Sequence, residues 1–191
     1  MAEDIFDLEV HNSAPRFTAN AAGPISLSEL ATNAITVPED YRTSSLRLPQ
    51  SNYDGLIRVS SRSLAEHAVM AGYSQNIETA LNEAIMNAHQ HGNRLKPDKE
   101  VLIHWKIGSD EAIYLVEDQG GILVPEFAAY VLLHRQVGNN KIPDFYAFSG
   151  RSRAEANLGT GTKFMHIYMD VGYFKSDKGG LVVKLRKQAG R

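Results

Sequence analysis

Glu83 and Asn87 stand one helical turn apart in the run from Asn82 to Asn93, and a carboxylate paired in this way with a carboxamide can do joint work. The carboxylate can accept a proton, and the amide oxygen can ligate a hard cation such as Mg²⁺. At about 100° per residue, Asn76, Thr79, Glu83, Asn87 and Gln90 form one polar stripe. Ile77, Ala80, Leu81, Ala84, Ile85 and Ala88 form an apolar stripe on another side, as a core-facing helix requires. On this helix alone the stronger reading of the polar stripe is a solvated face.

Two later segments add chemistry of their own. The strand-like run Ala112–Leu115 is followed by Val116-Glu117-Asp118-Gln119-Gly120-Gly121, which places the Asp118 carboxylate at the strand end before glycines that allow a backbone to approach a ligand closely. Taken alone, Asp118 reads as a turn-capping residue. The turn Gly159-Thr160-Gly161 leads through Thr162 and Lys163 into a helical pattern, and such a turn can aim backbone N–H groups at phosphate oxygens. It lacks the third glycine of a dinucleotide fingerprint and the Gly-Lys-Ser/Thr of a P-loop. Lys163 either reaches a phosphate or is an exposed first-turn lysine. His89 and His91 point apart on a helix, which argues against a shared ion. Arg151 and Arg153 either touch phosphates or keep their loop soluble.

Taken in order, Glu83-x3-Asn87, Asp118-x-Gly120 and Gly159-x-Gly161 resemble the boxes of the GHKL ATPase superfamily, which includes the ATP-binding domains of gyrases, heat-shock chaperones, histidine kinases and mismatch-repair proteins. Within it the chain is most similar to the bacterial anti-sigma factor serine kinases. The resemblance covers about residues 55 to 187. The chain departs from that pattern at Ile122, Asn157 and Leu181, where the family carries glycine, glycine and often threonine.

The resemblance implies a Bergerat fold: a two-layer α/β sandwich with a mixed, mostly antiparallel sheet and helices on one face. It implies ATP and Mg²⁺ as cofactors. Asn87 would hold the metal, Glu83 would be the catalytic base, Asp118 would read adenine with Gly120 beside it, and Gly159, Gly161, Thr162 and Lys163 would surround the phosphates. It further implies a serine/threonine protein kinase that phosphorylates a STAS-domain anti-anti-sigma protein, binds a sigma factor, forms a homodimer and regulates transcription by partner switching. The alternative is a nucleotide-binding switch module that activates or sequesters a partner without kinase activity.

The elements that must position these residues are readable in part. The central helix is expected from about Gln75 to His91, with Gly92 as its C-terminal stop. Leu46–Leu48 and Leu56–Val59 alternate as strands, and Ser63–Met70 reads as a short helix ended by Gly72. Val101–Ile107 alternates strongly and turns at Gly108–Glu111 into the strand that ends at Asp118. From Gly121 to Leu158 the pattern breaks into short apolar pieces, so that stretch is expected to be a lid with few core anchors. Thr162–Asp170 reads as a helix, followed by a hairpin turning at Asp177–Gly180. Residues 1–44, with Pro15, Pro24 and Pro38, read as an arm, partly ordered or partner-binding, before an ATPase-like domain spanning 45–191.

Composition sets the outer limits. A chain of 191 residues suits one domain with a real core. The net charge of −2 offers no footprint for direct nucleic-acid binding. Zero cysteines exclude disulfides, thiol catalysis and Cys-based zinc sites, and fit a cytoplasmic setting. Glu3 and Asp4 do not match the start of a signal peptide. The longest apolar run, Phe127–Leu133, is too short to span a bilayer, so no membrane association is expected.

Overall fold

Five strands build one sheet. The computed structural model describes residues 2, 4–6, 24–30, 32–137, 143–150 and 159–190. Strands β2 (Arg42–Arg47), β3 (Glu100–Ile107), β4 (Glu111–Glu117), β6 (Asp170–Lys175) and β7 (Leu181–Gln188) lie in the order β2-β3-β4-β7-β6, with every neighbouring pair antiparallel. A parallel bridge between Ile35 and Ser176 extends the β6 side. A second, two-stranded sheet pairs β1 (Ile25–Ser26) with β5 (Ile122–Leu123). The β3–β4 hairpin closes where the Gly108 N–H donates to the Glu111 carbonyl at 2.9 Å.

Helices α1 (Asp54–Met70), α2 (Asn76–Asn87) and α5 (Gly161–Tyr168) pack on one face of this sheet, completing the expected two-layer sandwich. The apolar stripe of α2 is the buried one: Ile77, Ala80, Leu81, Ala84 and Ile85 face inward. Burial of Ile77, Leu81 and Ile85 stabilises the fold by about 1.5–3 kcal/mol each.

Three local expectations are corrected. Leu56–Val59 is not a strand but part of α1, which begins well before Ser63. The residues that α1 buries, Ile57, Ser61, Leu64, Ala65 and Ala68, have a helical period, while Leu56 and Val59 face solvent at 51% and 70% exposure. The β-branched pair Ile57 and Val59 favours a strand locally, and packing over the longer window overrides it. Gly92 does not stop the central helix with a left-handed residue. The helix instead widens into a π-turn over Ala88–Gly92, and positive φ occurs later, at Arg94 (56°) and Leu95 (58°). The stretch after Gly121 is better anchored than its pattern suggests. It holds a 13-residue helix α3 (Pro125–Val137), with Ala128, Tyr130 and Val131 fully buried, and the short α4 (Phe145–Ser149). Helix α3 is covered nearly all round, so its sequence carries no polar stripe to reveal the period.

The opposite sheet face buries Ile113, Leu115 and Val182, and Ile35, Val37 and Tyr41 pack over them. Ile5, Phe6, Leu27 and Leu30 belong to the main core. Among the described residues no helix is long and apolar enough to cross a membrane.

Candidate functional site

The π-turn decides how the end of α2 meets the strand end at Asp118. Widening the last turn carries Gly92 against the Asp118 side chain, and a Cβ at Gly92 would collide with the carboxyl group. A Cβ at Gly120 would in turn strike the Gly92 backbone. Gly92 is therefore a close-approach residue. Asn93, fully buried, ties the same junction together. Its Nδ2 donates to the Glu100 carbonyl at 2.9 Å, and its Oδ1 accepts from the Gln119 N–H at 2.8 Å.

Asp118 is 3% exposed. Its Oδ1 accepts from the Gly120 N–H at 2.7 Å and the Leu181 N–H at 3.2 Å. Both of these donors use one oxygen, so the other is available to a ligand in the cleft that Asp118 lines. Burial pushes the carboxyl up to about 6, against the lowering effect of the two backbone donors. A buried carboxylate oxygen beside apolar walls suits a donor such as an exocyclic amine.

The glycine turn reaches the same cleft from the other side. Gly159 has φ of 68°, and its carbonyl accepts from the Phe145 N–H at 2.8 Å, which ties α4 to the turn. A side chain on Gly159 would enter the Tyr146 ring. Gly161 opens α5, and a Cβ there would collide with the Glu83 carboxylate. Glu83 therefore lies at a helix N-terminus, where the backbone dipole favours negative charge. Thr160 makes no side-chain capping bond at this helix end. Burial raises the Glu83 carboxyl above its ordinary value.

Glu83, Asn87, Asp118, Gly159, Gly161 and Thr162 thus line one cleft. Gly120 stands behind Asp118, against Gly92, and Lys163 is half-buried outside the cleft wall. Arg151, Arg153 and Asn157 lie outside the described residues. His89 is buried and bonds the Pro49 carbonyl at 3.0 Å, whereas His91 is exposed at the cleft, so the two do point apart.

Asn87 fits a metal ligand. Its side-chain Nδ2 is buried without a hydrogen-bond partner, and exchanging N and O of the amide would place an acceptor at that position. Among the described residues no group of three or more His, Asp or Glu could hold an ion alone. A hard cation at Asn87 would therefore share its coordination with phosphate oxygens and water, which is the habit of Mg²⁺.

Sequence reasoning missed the aromatic and aliphatic wall. Phe127, Phe145 and Tyr146 come from α3 and α4 and join Leu181, the position marked in the sequence as a departure from the family pattern, at the start of β7. The clustering of aromatics between the two glycine boxes was the available signal. The sequence does mark Gly92, but as a helix stop rather than as the point of contact with Asp118.

No curated protein matches the chain. The family profile of the histidine kinase-like ATPase domain matches residues 46–187. That span contains the central helix, the Asp118 turn and the glycine turn on α5, and the chain belongs to the histidine kinase-like ATPase domain family, the GHKL-type ATP-binding domains.

Proposed function

We propose that this chain is an ATP-dependent serine/threonine protein kinase of the anti-sigma factor type. In this reading it phosphorylates a STAS-domain anti-anti-sigma protein, binds a sigma factor in exchange, and works as a cytoplasmic homodimer. The observation that carries it is the placement of the Glu83 carboxylate against Gly161, in the same cleft as Asn87 and Asp118. A base at the opening of the phosphate-binding helix lies where a serine hydroxyl must approach the terminal phosphate.

The chemistry needs positioning and charge neutralisation more than covalent help. Asp118 accepts from the adenine amine and fixes the base. The backbone N–H groups at the start of α5 face the phosphates. Asn87 would hold Mg²⁺, which would neutralise phosphate charge when bound. Glu83 takes the hydroxyl proton as the serine oxygen bonds to the γ-phosphorus, and the bond from that phosphorus to the ADP oxygen breaks. The raised proton affinity of Glu83 makes it a better base than an ordinary carboxylate.

Labelled phosphate should pass from ATP to serine or threonine of a STAS-domain partner that the chain binds. Binding without transfer would overturn the kinase reading and leave a nucleotide-dependent switch. Asn87→Ala should remove the dependence of ATP affinity on Mg²⁺, with a loss of at least about tenfold in the metal's enhancement. The substitution keeps a good helix former and deletes only the amide. Calorimetry with and without the metal checks it, and an unchanged Mg²⁺ effect would remove Asn87 as ligand.

A further inference from the structure

We infer that Arg135, Tyr173 and Phe127 form a binding site for a short acidic–aliphatic–aromatic peptide, filled by the chain's own Asp4-Ile5-Phe6, and that its occupancy holds the lid helix α3 in place beside the cleft. The site is built from backbone and side-chain contacts together. β6 is the last strand of the five-stranded sheet, and Asp4–Phe6 lies against it as a turn in which the Phe6 N–H donates to Asp4 Oδ1 at 2.8 Å. The Ile5 N–H donates to the Tyr173 carbonyl at 2.8 Å, and the Tyr173 N–H donates to Asp4 Oδ2 at 2.9 Å. One main-chain bond and one bond from the backbone to a carboxylate thus dock this turn on the sheet edge, and the side-chain contacts supply selectivity.

Each of the three peptide positions has its own partner. Asp4 Oδ2 also accepts from the Arg135 guanidinium at 2.7 Å, with both side chains largely shielded from water. Ile5 and Phe6 are fully buried. The Phe6 ring meets Tyr173 edge-on at 5.1 Å, and the Arg135 guanidinium lies 5.9 Å from its centroid. A shielded charge, an aliphatic side chain and a buried ring in sequence give a motif with real selectivity.

The link to the cleft is short. Arg135 belongs to α3, so the Asp4 ion pair ties that helix to the sheet edge. Tyr173 contacts Phe6 and also Phe127 of α3, with the latter ring 5.8 Å away, and Phe127 lines the cleft. The other end of the lid is held as well: β1 pairs with β5, and the Leu27 N–H donates to the Gly121 carbonyl at 3.0 Å. Releasing Asp4–Phe6 removes the ion pair to Arg135 and the ring packed on Tyr173, while Arg135 keeps the Val171 carbonyl at 3.4 Å and His134 keeps its stack on His166; the effect reaches the cleft through Tyr173, whose other ring neighbour is Phe127.

The test uses the full chain carrying Asp4→Ala and Phe6→Ala, with a synthetic peptide of residues 1–10 as probe. The peptide should bind this variant saturably at one site, at least tenfold tighter than it binds wild type, where the site is already filled. Adding Arg135→Ala should abolish that binding. Release of a fluorescent ATP analogue should be about tenfold faster from the double variant and should slow again on adding peptide. This second readout rests on the nucleotide reading proposed above, whereas the peptide titration does not. Failure to bind the analogue therefore counts against that reading alone. A folded variant that ignores the peptide, or that binds it without any change in analogue release, overturns the inference. If the double variant does not fold, Asp4→Asn removes only the charge facing Arg135, and it should speed analogue release several-fold; an unchanged rate overturns the coupling.

Discussion

Asp118→Asn should stabilise the ligand-free protein while weakening ATP about a hundredfold. The two effects come from one carboxyl group. Burial raises its folded value to about 6 from an ordinary 3.8, so the folded state binds the proton more tightly than the unfolded chain. The stability this confers is full below the unfolded value and is lost as pH rises through about 6. Above that, charged Asp118 costs on the order of 3 kcal/mol. Asparagine removes the charge and keeps an oxygen for the Gly120 and Leu181 N–H groups. The thermal midpoint should therefore rise by several degrees above pH 6, and not at pH 4. ATP binding moves the other way, because the amide nitrogen now meets the adenine amine donor to donor. Scanning calorimetry across pH gives the first effect, and titration with ATP and GTP gives the second. A more stable variant with unchanged ATP affinity would mean that Asp118 does not read the base.

Glu83→Gln should keep ATP and lose phosphoryl transfer, by a hundredfold or more for a general base. The glutamine retains size and polarity, so the fold and the contact with Gly161 change little. Removing a negative charge from the phosphate end of the cleft leaves ATP bound as well as before, or more tightly. The pH profile adds a second signature. Burial raises the Glu83 carboxyl, and only its charged form accepts a proton. Activity should fall on the acid side at a pH above that of an ordinary glutamate, and that limb should vanish in the variant. Equal transfer rates for the two proteins would remove Glu83 from the chemistry.

The parts that were legible in the sequence share a physical trait. Helix α2 has one polar face and one buried face, so its period survives in the residue types and puts Glu83 and Asn87 on the same, cleft-lining side. Strand β3 alternates because its two faces differ, whereas β4 is buried on both faces and reads as the continuous apolar run Ala112–Val116. Helix α3 lies among packed elements on most sides, and its period vanishes into a run of apolar residues. The start of α1 was obscured by β-branched residues whose local preference opposes their final state. That Asp118, Gly159 and Gly161 would meet the polar face of α2 was legible only through family resemblance, since no local period encodes a contact between distant segments. The Phe145 and Tyr146 wall was illegible for the same reason.

The π-turn at Ala88–Gly92 makes residue count at that point part of the site. The Gly108–Glu111 hairpin differs: an added residue there would disturb the bonds from the Tyr73 hydroxyl and the Ala189 N–H to its carbonyls, but nothing in the cleft. Losing one residue between Ala88 and Gly92 would restore ordinary helical spacing and rotate the downstream residues by about 100° about the helix axis. Gly92 would leave Asp118, a side chain would arrive in its place, and Asn93 would lose Gln119. Substitutions in this turn can be graded by size, but insertions and deletions cannot. Sequence drift in this lineage should therefore proceed by exchange of residues at constant length from Glu83 to Asn93, with gaps confined to segments that never face the cleft.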